Sequence, residues 1–513
     1  IMFNDATLNQ IDASGFKIGK TYPIKTGTDF FTTHGFVNFL QFDAYQSENN
    51  LIGLSTDQGR YVNWNSKLNY QMETTSKFEL DGNGMLLLNK NELIDLKSLE
   101  IKNRLPQYKN FKILEGDKQL LLSGEVDDKQ MYFMTSTYDE PEQPVWKSNA
   151  IPYTDFLPPN YIYISPNKKY ALAHSGTING LGSYIGEEPL MDFYFINLET
   201  HHLEKITSKF EIGNMDFTPD GKKFYILTGQ SYNHNQKTIF YDPATLKPIE
   251  TIEGHAHQFL KDNTFLQIQS QNLVVTQKDS QGKIKEKSYY SRNYLRTCLY
   301  AKDFGYLIAG SEQGNLFVWE ETNQSPKKII PLGTSMILQL EVSGNKLFAL
   351  LSDGTIRIIN LQDLSHELTL AISSNTDNFN IAWFTPEGYF KASKDNIRNF
   401  HFVKNLKAFP LLSYELFLNR PDIILNKLGY ADDETVEIYK EAYLKRLKRY
   451  GLTEQTDFFS IERPEVTLLN KNQLSPVAKA EEIQVDLSFS SSAKTFTVYD
   501  NGVPVVSGKV PNS

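Results

Sequence analysis

The amino-acid sequence predicts a mainly β protein in which a large β-propeller is followed by a short helical region and a smaller β segment. Through about residue 405, short runs of β-branched and aromatic residues alternate with turns rich in Gly, Asn, Asp and Ser. A strand–turn–strand phrase recurs in this part, at spacings that include 40 and 45 residues. Since four short strands every ~40–45 residues are typical of one propeller blade, the repeat predicts the fold.

The repeated phrase is an alternating apolar strand that ends in an acidic or amide residue, followed by a turn and another strand. That residue is Asp95, Asn197, Asp242, Glu320 or Asn360, with a looser copy at Asn65. The 78-residue interval after Asp242 leaves room for one degenerate unit around residues 273–279. Strand groups give eight blades as the best count and allow seven to nine. The strand at residues 16–24 is expected to be the outer strand that closes the ring and removes its exposed edges.

A glycine-rich stretch, residues 176–188, lies between two predicted strands of the propeller. Its glycine spacing is similar to that of a phosphate-binding loop, but such a loop has to follow a strand and open a helix. We therefore interpret it as a hairpin loop. Because such loops contact partners in propellers, Gly180 and Tyr184 are interaction candidates. Trp319 and Trp383 in the propeller strands are candidates of the same kind.

Residues 406–455 predict a helical connector. Apolar residues recur at helical intervals from Leu412 onward, Pro421 breaks the pattern, and Gly429 stops it. The second predicted helix ends in a basic cluster, which suits the helix dipole. The cluster consists of Lys445, Arg446, Lys448 and Arg449. It has two interpretations, a site for an acidic partner or a solvated helix end.

Residues 456–513 predict part of an immunoglobulin-like β-sandwich. Apolar and polar residues alternate from Ile483 to Phe489, and Asn501-Gly502 is a strong hairpin signal. A complete domain of this kind takes ~100 residues, so we expect an incomplete one here. The predicted domains are therefore a propeller (1–405), a helical connector (406–455) and a β-sandwich segment (456–513).

The propeller phrases resemble those of WD-repeat proteins, in which a Gly-His pair opens a blade and a Trp-Asp pair closes its third strand. Gly254-His255 precedes a predicted strand, and Trp319-Glu320 and Trp64-Asn65 approximate the closing pair. With few copies of these polar pairs present, we expect the blades to be held together by apolar packing between neighbours.

The order of the segments is similar to that of bacterial proteins that fuse a WD-type propeller to a caspase-family peptidase. The phrases that carry this resemblance are TPEGYF at residues 385–390 and YELFLNRPD at residues 414–422, and it extends over about residues 375–505. It implies a bacterial protein that works with a caspase-like peptidase or its substrate. The family's peptidase module is not visible in the sequence, so either it lies beyond residue 513 or this member lacks it.

Composition excludes several classes of function. A net charge of −9 argues against nucleic acid as a partner. No apolar run reaches the ~20 residues of a membrane span, and a single cysteine excludes a disulfide-stabilised scaffold. These features predict a cytoplasmic protein with protein partners.

No complete set of catalytic or cofactor-binding residues is found in the sequence. Cys298 lies in a predicted strand with no His near it in sequence, whereas a nucleophilic thiolate needs a base. His255 and His257 would project to the same side of a strand, which makes them weak candidates for half of a metal site. We therefore expect no cofactor and no enzymatic activity from these residues.

The sequence leaves functions of different classes open. The first is an interaction and sensor scaffold that recognises a partner and regulates or positions an effector, by resemblance a caspase-like peptidase. The second is a propeller enzyme, a lyase or hydrolase, with an active site on the ring axis, and the third is a structural subunit of a larger assembly. Convergent carboxylates or histidines on the axis would favour the enzyme, whereas an aromatic, charge-mixed rim would favour binding.

Overall fold

The computed structural model describes the backbone of the strands between residues 2 and 73 and most of residues 78–510. From residue 78 onward, the ranges not described are 89–91, 105–109, 115–118, 128–129, 153–160, 175–190, 209–211, 229–236, 254–257, 262–263, 279–282, 375–378, 393–396, 398–400, 405–406, 457–465, 471–483, 491 and 501–502. The chain divides into two compact units, Ile1–Lys440 and Glu441–Ser513. The domain boundaries at residues 405 and 455 stay predictions.

Seven antiparallel sheets follow one another between residues 78 and 374, and the strands of each are consecutive in sequence. We call them blades 1 to 7. Blades 1 to 4 consist of Phe78–Leu80, Met85–Leu88, Glu92–Asp95 and Glu100–Arg104; Asn110–Leu114, Gln119–Asp127, Gln130–Thr137, Trp146–Lys147 and Ile151–Pro152; Tyr161–Ile164, Tyr170–His174, Met191–Asn197 and His202–Ser208; and Ile212–Phe217, Phe224–Thr228, Lys237–Tyr241 and Pro248–Glu253. Blades 5 to 7 consist of Gln258–Lys261, Thr264–Gln269, Asn272–Lys278 and Ile284–Tyr290; Leu295–Ala301, Tyr306–Ser311, Asn315–Glu320 and Lys328–Pro331; and Ile337–Ser343, Lys346–Leu351, Ile356–Asn360 and Ser365–Ser374, which Phe379–Phe384 and Phe390–Ala392 extend.

The seven blades form a closed ring. The first strand of blade 1 contacts the first strand of blade 7 as well as that of blade 2. Each pair of neighbouring blades, including blades 7 and 1, shares a cluster of buried apolar side chains. Since each fully buried apolar side chain contributes about 1.5–3 kcal/mol, these clusters hold the ring together, as expected from the scarcity of Gly-His and Trp-Asp pairs. The described part of the chain is thus a seven-bladed β-propeller, within the predicted range of seven to nine.

The best count of eight blades is one too high because the phrase at Asn65 belongs to a sheet outside this ring. Asn65 ends the middle strand of a separate three-stranded sheet. That sheet consists of Ile52–Ser55, Arg60–Asn65 and Leu68–Glu73. The degenerate unit around residues 273–279 is confirmed, since Asn272–Lys278 is the third strand of blade 5.

The expectation that residues 16–24 close the ring is wrong. The strand Lys17–Pro23 pairs with Thr7–Asp12, which also pairs with Met2–Asn4, in another three-stranded sheet. The fourth strand of blade 7 is Ser365–Ser374, from the same stretch of chain as the rest of that blade. The ring therefore closes through side chains rather than through a strand borrowed from the N-terminus.

The recurring acidic or amide residue stands at the end of a third strand because it caps the turn to the fourth. In four copies its side-chain oxygen accepts a hydrogen bond of 2.9–3.0 Å from the amide two residues on; these are Asp95, Asn197, Asp242 and Asn360. Four residues after each of them the backbone is left-handed, with φ between 55° and 61°, at Leu99, His201, Leu246 and Leu364. The repeat is thus an Asx turn with one fixed shape, and the longer Glu320 instead pairs with Lys327 at 2.6 Å.

A hairpin and several helical segments follow the last strand of blade 7. Their bounds are His401–Lys404 and Lys407–Pro410 for the hairpin, Leu411–Tyr414 for a 3-10 turn, and Glu415–Leu418 (α1), Pro421–Leu428 (α2) and Asp433–Arg449 (α3) for the helices; a further 3-10 turn, Lys302–Phe304, lies in blade 6. Pro421 occupies the first turn of α2, and Gly429, with φ 77°, ends it. Ile424, Leu425 and Leu428 join the apolar cluster between blades 7 and 1. The helix α2 therefore packs on the propeller, whereas Leu412 before it is 49% exposed.

The phrases that carry the family resemblance meet in the fold. The guanidinium of Arg420 donates to both carboxylate oxygens of buried Asp422, at 2.7–3.2 Å, and lies 5.7 Å from the ring centre of Tyr389. The amide of Arg420 also donates to the Phe390 carbonyl at 2.9 Å. These residues therefore fix α2 to the end of blade 7.

The second unit contains the end of α3 and two strand pairs. The pairs are Val466–Leu468 with Leu487–Phe489, and Thr495–Asp500 with Val503–Lys509. The immunoglobulin-like assignment of this segment stays a prediction. In the described part of the chain, no helix has the length and apolar character needed to cross a membrane.

Candidate functional site

Polar side chains on the first strands connect neighbouring blades. In each described case an acceptor on one blade takes a hydrogen bond from a backbone amide of the next blade. Glu79 accepts from Ile113 at 3.0 Å, and Gln258 accepts from Tyr300 at 2.7 Å. At the closure, Gln339 and Glu341 of blade 7 accept from Phe78 and Leu80 of blade 1, both at 3.1 Å. First strands of neighbouring blades do not pair by backbone hydrogen bonds, so these side chains accept the hydrogen bonds of backbone amides on the next blade.

One lysine is the centre of a charged group on these strands. Lys112 Nζ lies 3.0 Å from Glu79 Oε1. Burial lowers the pKa of Lys112, but the carboxylates of Glu79, Glu341 and Asp216 outweigh it, and the pKa is raised. Burial raises the pKa of Asp216 to about 6, although the Phe217 amide and Lys112 both oppose the rise. Charges from blades 1, 2, 4 and 7 are thereby coupled inside the ring.

This charged group has a structural rather than a catalytic arrangement. Each of its three carboxylates, Glu79, Asp216 and Glu341, accepts a hydrogen bond from a backbone amide. Across the described residues, no group of three or more His, Cys, Asp or Glu side chains is arranged to hold a metal ion. Convergent carboxylates are therefore present, but blade-to-blade bonds account for the positions of Glu79 and Glu341. Asp216 is held by the amide of the next residue in its own strand.

The connection between blades 5 and 6 presents a second set of chemically distinctive side chains at the rim of the ring. Tyr290 and Tyr294 are 53% and 52% exposed, and Arg292 and Arg296 between and beside them are exposed as well. Tyrosine and arginine are the residue types enriched at the energetic centres of protein interfaces. We call the segment Tyr290–Arg296 the rim segment.

The rim segment is held rigidly by the adjoining turns of both blades. On the blade 5 side, the Ser291 hydroxyl donates to the Gln271 carbonyl at 2.9 Å, and the Tyr290 hydroxyl donates to the Gln271 side chain at 3.1 Å. On the blade 6 side, Asn293 donates to Gln313 at 2.9 Å, and Arg296 pairs with Glu312 at 2.9 Å. A surface fixed in this way loses little conformational entropy when a partner binds.

Two of the predicted interaction residues are core residues. Trp319 and Trp383 are 0% and 1% exposed and belong to the apolar clusters between blades 5 and 6 and between blades 7 and 1. Their selection as surface contacts is therefore wrong, because their indole rings fill space between blades. Gly180 and Tyr184 lie outside the described residues.

The remaining candidate residues are either outside the described residues or have a described position on α3 or in blade 6. His255 and His257 lie outside the described residues. Three residues of the basic cluster on α3 are exposed: Lys445, Lys448 and Arg449. Lys445 pairs with Glu441 at 3.0 Å, and Arg446 lies over the ring of Tyr443. The role of this cluster in binding stays a prediction. Cys298 is half-buried, and burial raises the pKa of its thiol to about 12, so little nucleophilic thiolate forms near neutral pH.

The sequence contains a signal for the rim segment beyond the interaction candidates named above. Residues 283–296 read KIKEKSYYSRNYLR, with basic and aromatic residues interleaved and only one acidic residue. Nothing in this pattern shows which tyrosines are exposed, however, because Tyr289 is buried beside Trp319 while Tyr290 is exposed.

Comparisons with known proteins add similar folds at low identity. No family model matches the chain, and no curated protein matches it. Among solved structures, hydrazine synthase of Kuenenia stuttgartiensis is 12% identical with a TM-score of 0.42 and covers 57% of this chain and 97% of its own. The WD40 repeats of RRP9 are 10% identical, with a TM-score of 0.37 and coverages of 54% and 86%. The β-propeller domain of Cps50 (Swd1) from Myceliophteria thermophila is 11% identical, with a TM-score of 0.32, and covers 45% of this chain and 84% of its own. We draw no functional conclusion from likenesses at this level, and the propeller assignment rests on the strand pairing of the chain itself.

Proposed function

We propose that this chain is a protein-interaction scaffold whose propeller recognises a protein partner and regulates or positions an effector. The observation that supports this function is the rim segment, in which exposed tyrosines and arginines are fixed on a braced turn. The effector suggested by the sequence resemblance is a caspase-like peptidase in the cytoplasm, with the peptidase on another chain or in a further domain.

The alternative, an enzyme with an axial active site, has one observation in its favour, the carboxylates grouped around Lys112. A general acid or nucleophile has to be available to a substrate. Two of these carboxylates, Glu79 and Glu341, hold neighbouring blades together, so removing either of them would loosen the ring before it changed a reaction. We therefore rank binding above catalysis.

Affinity capture with a matched pair of variants tests the proposed function. The wild-type chain, the double variant Tyr290→Ala/Tyr294→Ala and the control Tyr450→Ala are used as baits in extracts of the source cells, and captured proteins are quantified by mass spectrometry. Tyr450 is 66% exposed and lies in the other compact unit. We expect a specific partner to be captured by the wild type and the control but lost with the double variant. Equal capture by all three baits would contradict recognition through the rim segment.

A further inference from the structure

The rim segment lies in a basic stretch of an acidic protein. Residues 283–296 contain five Lys or Arg and one Glu, a net charge of +4, while the whole chain carries −9. The rest of the chain therefore sums to −13. A basic surface on an otherwise acidic molecule attracts an acidic partner to that place and repels it elsewhere.

Arg292 is the central residue of this surface. It is exposed, and among the described residues it has no hydrogen-bond or ion-pair partner, whereas the nearby Arg296 is engaged by Glu312. Its backbone is left-handed, with φ 64°, a conformation that is uncommon outside glycine and is retained where the surrounding bonds impose it. Ser291 and Asn293 supply those bonds on either side of it. The guanidinium is therefore displayed from a fixed turn, between two exposed tyrosines.

We propose that the rim segment binds an acidic segment of a partner protein, with a partner carboxylate on the Arg292 guanidinium and the rings of Tyr290 and Tyr294 packing on its neighbours. This assignment rests on the proposed scaffold function and names the partner's chemistry. An arginine fork can bind a carboxylate through two parallel hydrogen bonds, and tyrosines add contact area at little entropic cost.

A nucleic acid would also present anions to arginine and tyrosine, but the charge balance of the chain favours a protein. Nucleic-acid binding depends on neutralising many phosphates along a surface. Residues 283–296 supply a net charge of only +4, and the rest of the chain sums to −13, which leaves few cations to neutralise a row of phosphates. A short acidic peptide needs only the local patch.

Fluorescence anisotropy with synthetic probes tests the assignment. The probes are a labelled twelve-residue peptide of alternating Glu and Val, its Lys–Val counterpart, and a twelve-nucleotide oligo-dT. Arg292→Asn removes the charge while keeping a residue that tolerates the left-handed backbone. Arg449→Asn is the matched control, because it removes an exposed arginine from the basic end of α3. Circular dichroism checks that both variants fold.

We expect the wild type and Arg449→Asn to bind the Glu–Val peptide at least tenfold more tightly than the Lys–Val peptide, and Arg292→Asn to lose about tenfold in affinity. Loss of affinity only in Arg449→Asn would overturn the proposal in favour of the α3 cluster. Oligo-dT that binds as tightly as the Glu–Val peptide would overturn it in favour of nucleic acid. Failure of every probe, while affinity capture still shows a partner that depends on Tyr290 and Tyr294, would reject the acidic partner but leave the scaffold function intact.

Discussion

Replacing Lys112 by Met should destabilise the propeller far more than the loss of an ordinary surface ion pair. Lys112 Nζ lies 3.0 Å from Glu79 Oε1, and the Glu79 side chain is only 4% exposed. At this distance an effective dielectric constant of about 20 gives an attraction of about 5–6 kcal/mol before desolvation is subtracted. The substitution leaves the buried Glu79 carboxylate without its cation, a change that costs about 3–5 kcal/mol in buried pairs. Because Lys112 is itself 30% exposed, we expect a loss of about 3 kcal/mol.

The matched control is Lys102→Met, which removes the ion pair between Lys102 and Asp139, also between blades 1 and 2. That pair is shorter, at 2.7 Å, but its side chains are 36% and 67% exposed, so its loss should change the free energy of unfolding by less than about 1 kcal/mol. Urea unfolding of the wild type and both variants, followed by tryptophan fluorescence, measures the difference. If Lys112→Met lost no more stability than Lys102→Met, the coupling of charges inside the ring would have no energetic importance.

Three further predictions follow from local geometry. Folding raises the pKa of the Asp216 carboxyl to about 6 from 3.8, so stability is lost as pH rises from about 4 to about 6. In urea titrations, the free energy of unfolding of Asp216→Asn relative to that of the wild type should therefore rise by up to about 3 kcal/mol between pH 4 and pH 8. A difference that does not change with pH would contradict this. Gly314→Ala should lower the free energy of unfolding by about 3 kcal/mol, because at φ 72° the new Cβ would lie 2.5 Å from a backbone oxygen. Gly305→Ala, at φ 64° but with open space around the Cβ, should lower it by about 1 kcal/mol. Equal melting temperatures of the two variants would refute the clash. Asp422→Asn should lower the free energy of unfolding by about 3 kcal/mol, because it leaves the Arg420 guanidinium buried without its carboxylate. Unchanged hydrogen exchange in α2 would contradict this prediction.

The propeller was predictable because the turns that end its third strands are formed by local interactions. Asp95, Asn197, Asp242 and Asn360 recur in the sequence for the same reason that they recur in the fold, since each caps the same turn. The number of blades was less predictable. Asn65 has the same sequence context but ends a strand of a sheet outside the ring, and sequence context does not record which sheet a strand joins.

The candidate site was predicted less well because burial of aromatic residues depends on contacts between blades. Trp319 and Trp383 looked like surface contacts but fill the spaces between blades, whereas Tyr290, next to the buried Tyr289, is exposed. Successive residues of a strand face opposite sides, and only the neighbouring blade decides which side is covered. The charged group around Lys112 was missed for a similar reason, because its residues are far apart in sequence and meet only when the ring closes.

The closure of the ring gives the helical segment after it a mechanical role. Within the described residues, blades 7 and 1 share no strand, so their interface depends on side chains. The helix α2 adds Ile424, Leu425 and Leu428 to the apolar cluster at this interface. Just beyond α2, the Tyr430 hydroxyl donates to Ser343 of blade 7 at 2.6 Å, and the Tyr430 ring lies so close to Gly84 of blade 1 that a Cβ there would approach to 3.2 Å. One residue thus contacts both sides of the closure. Displacing this segment would expose apolar surface at the interface between blades 7 and 1. A movement of α2 and the stability of the closure are therefore linked through the same contacts.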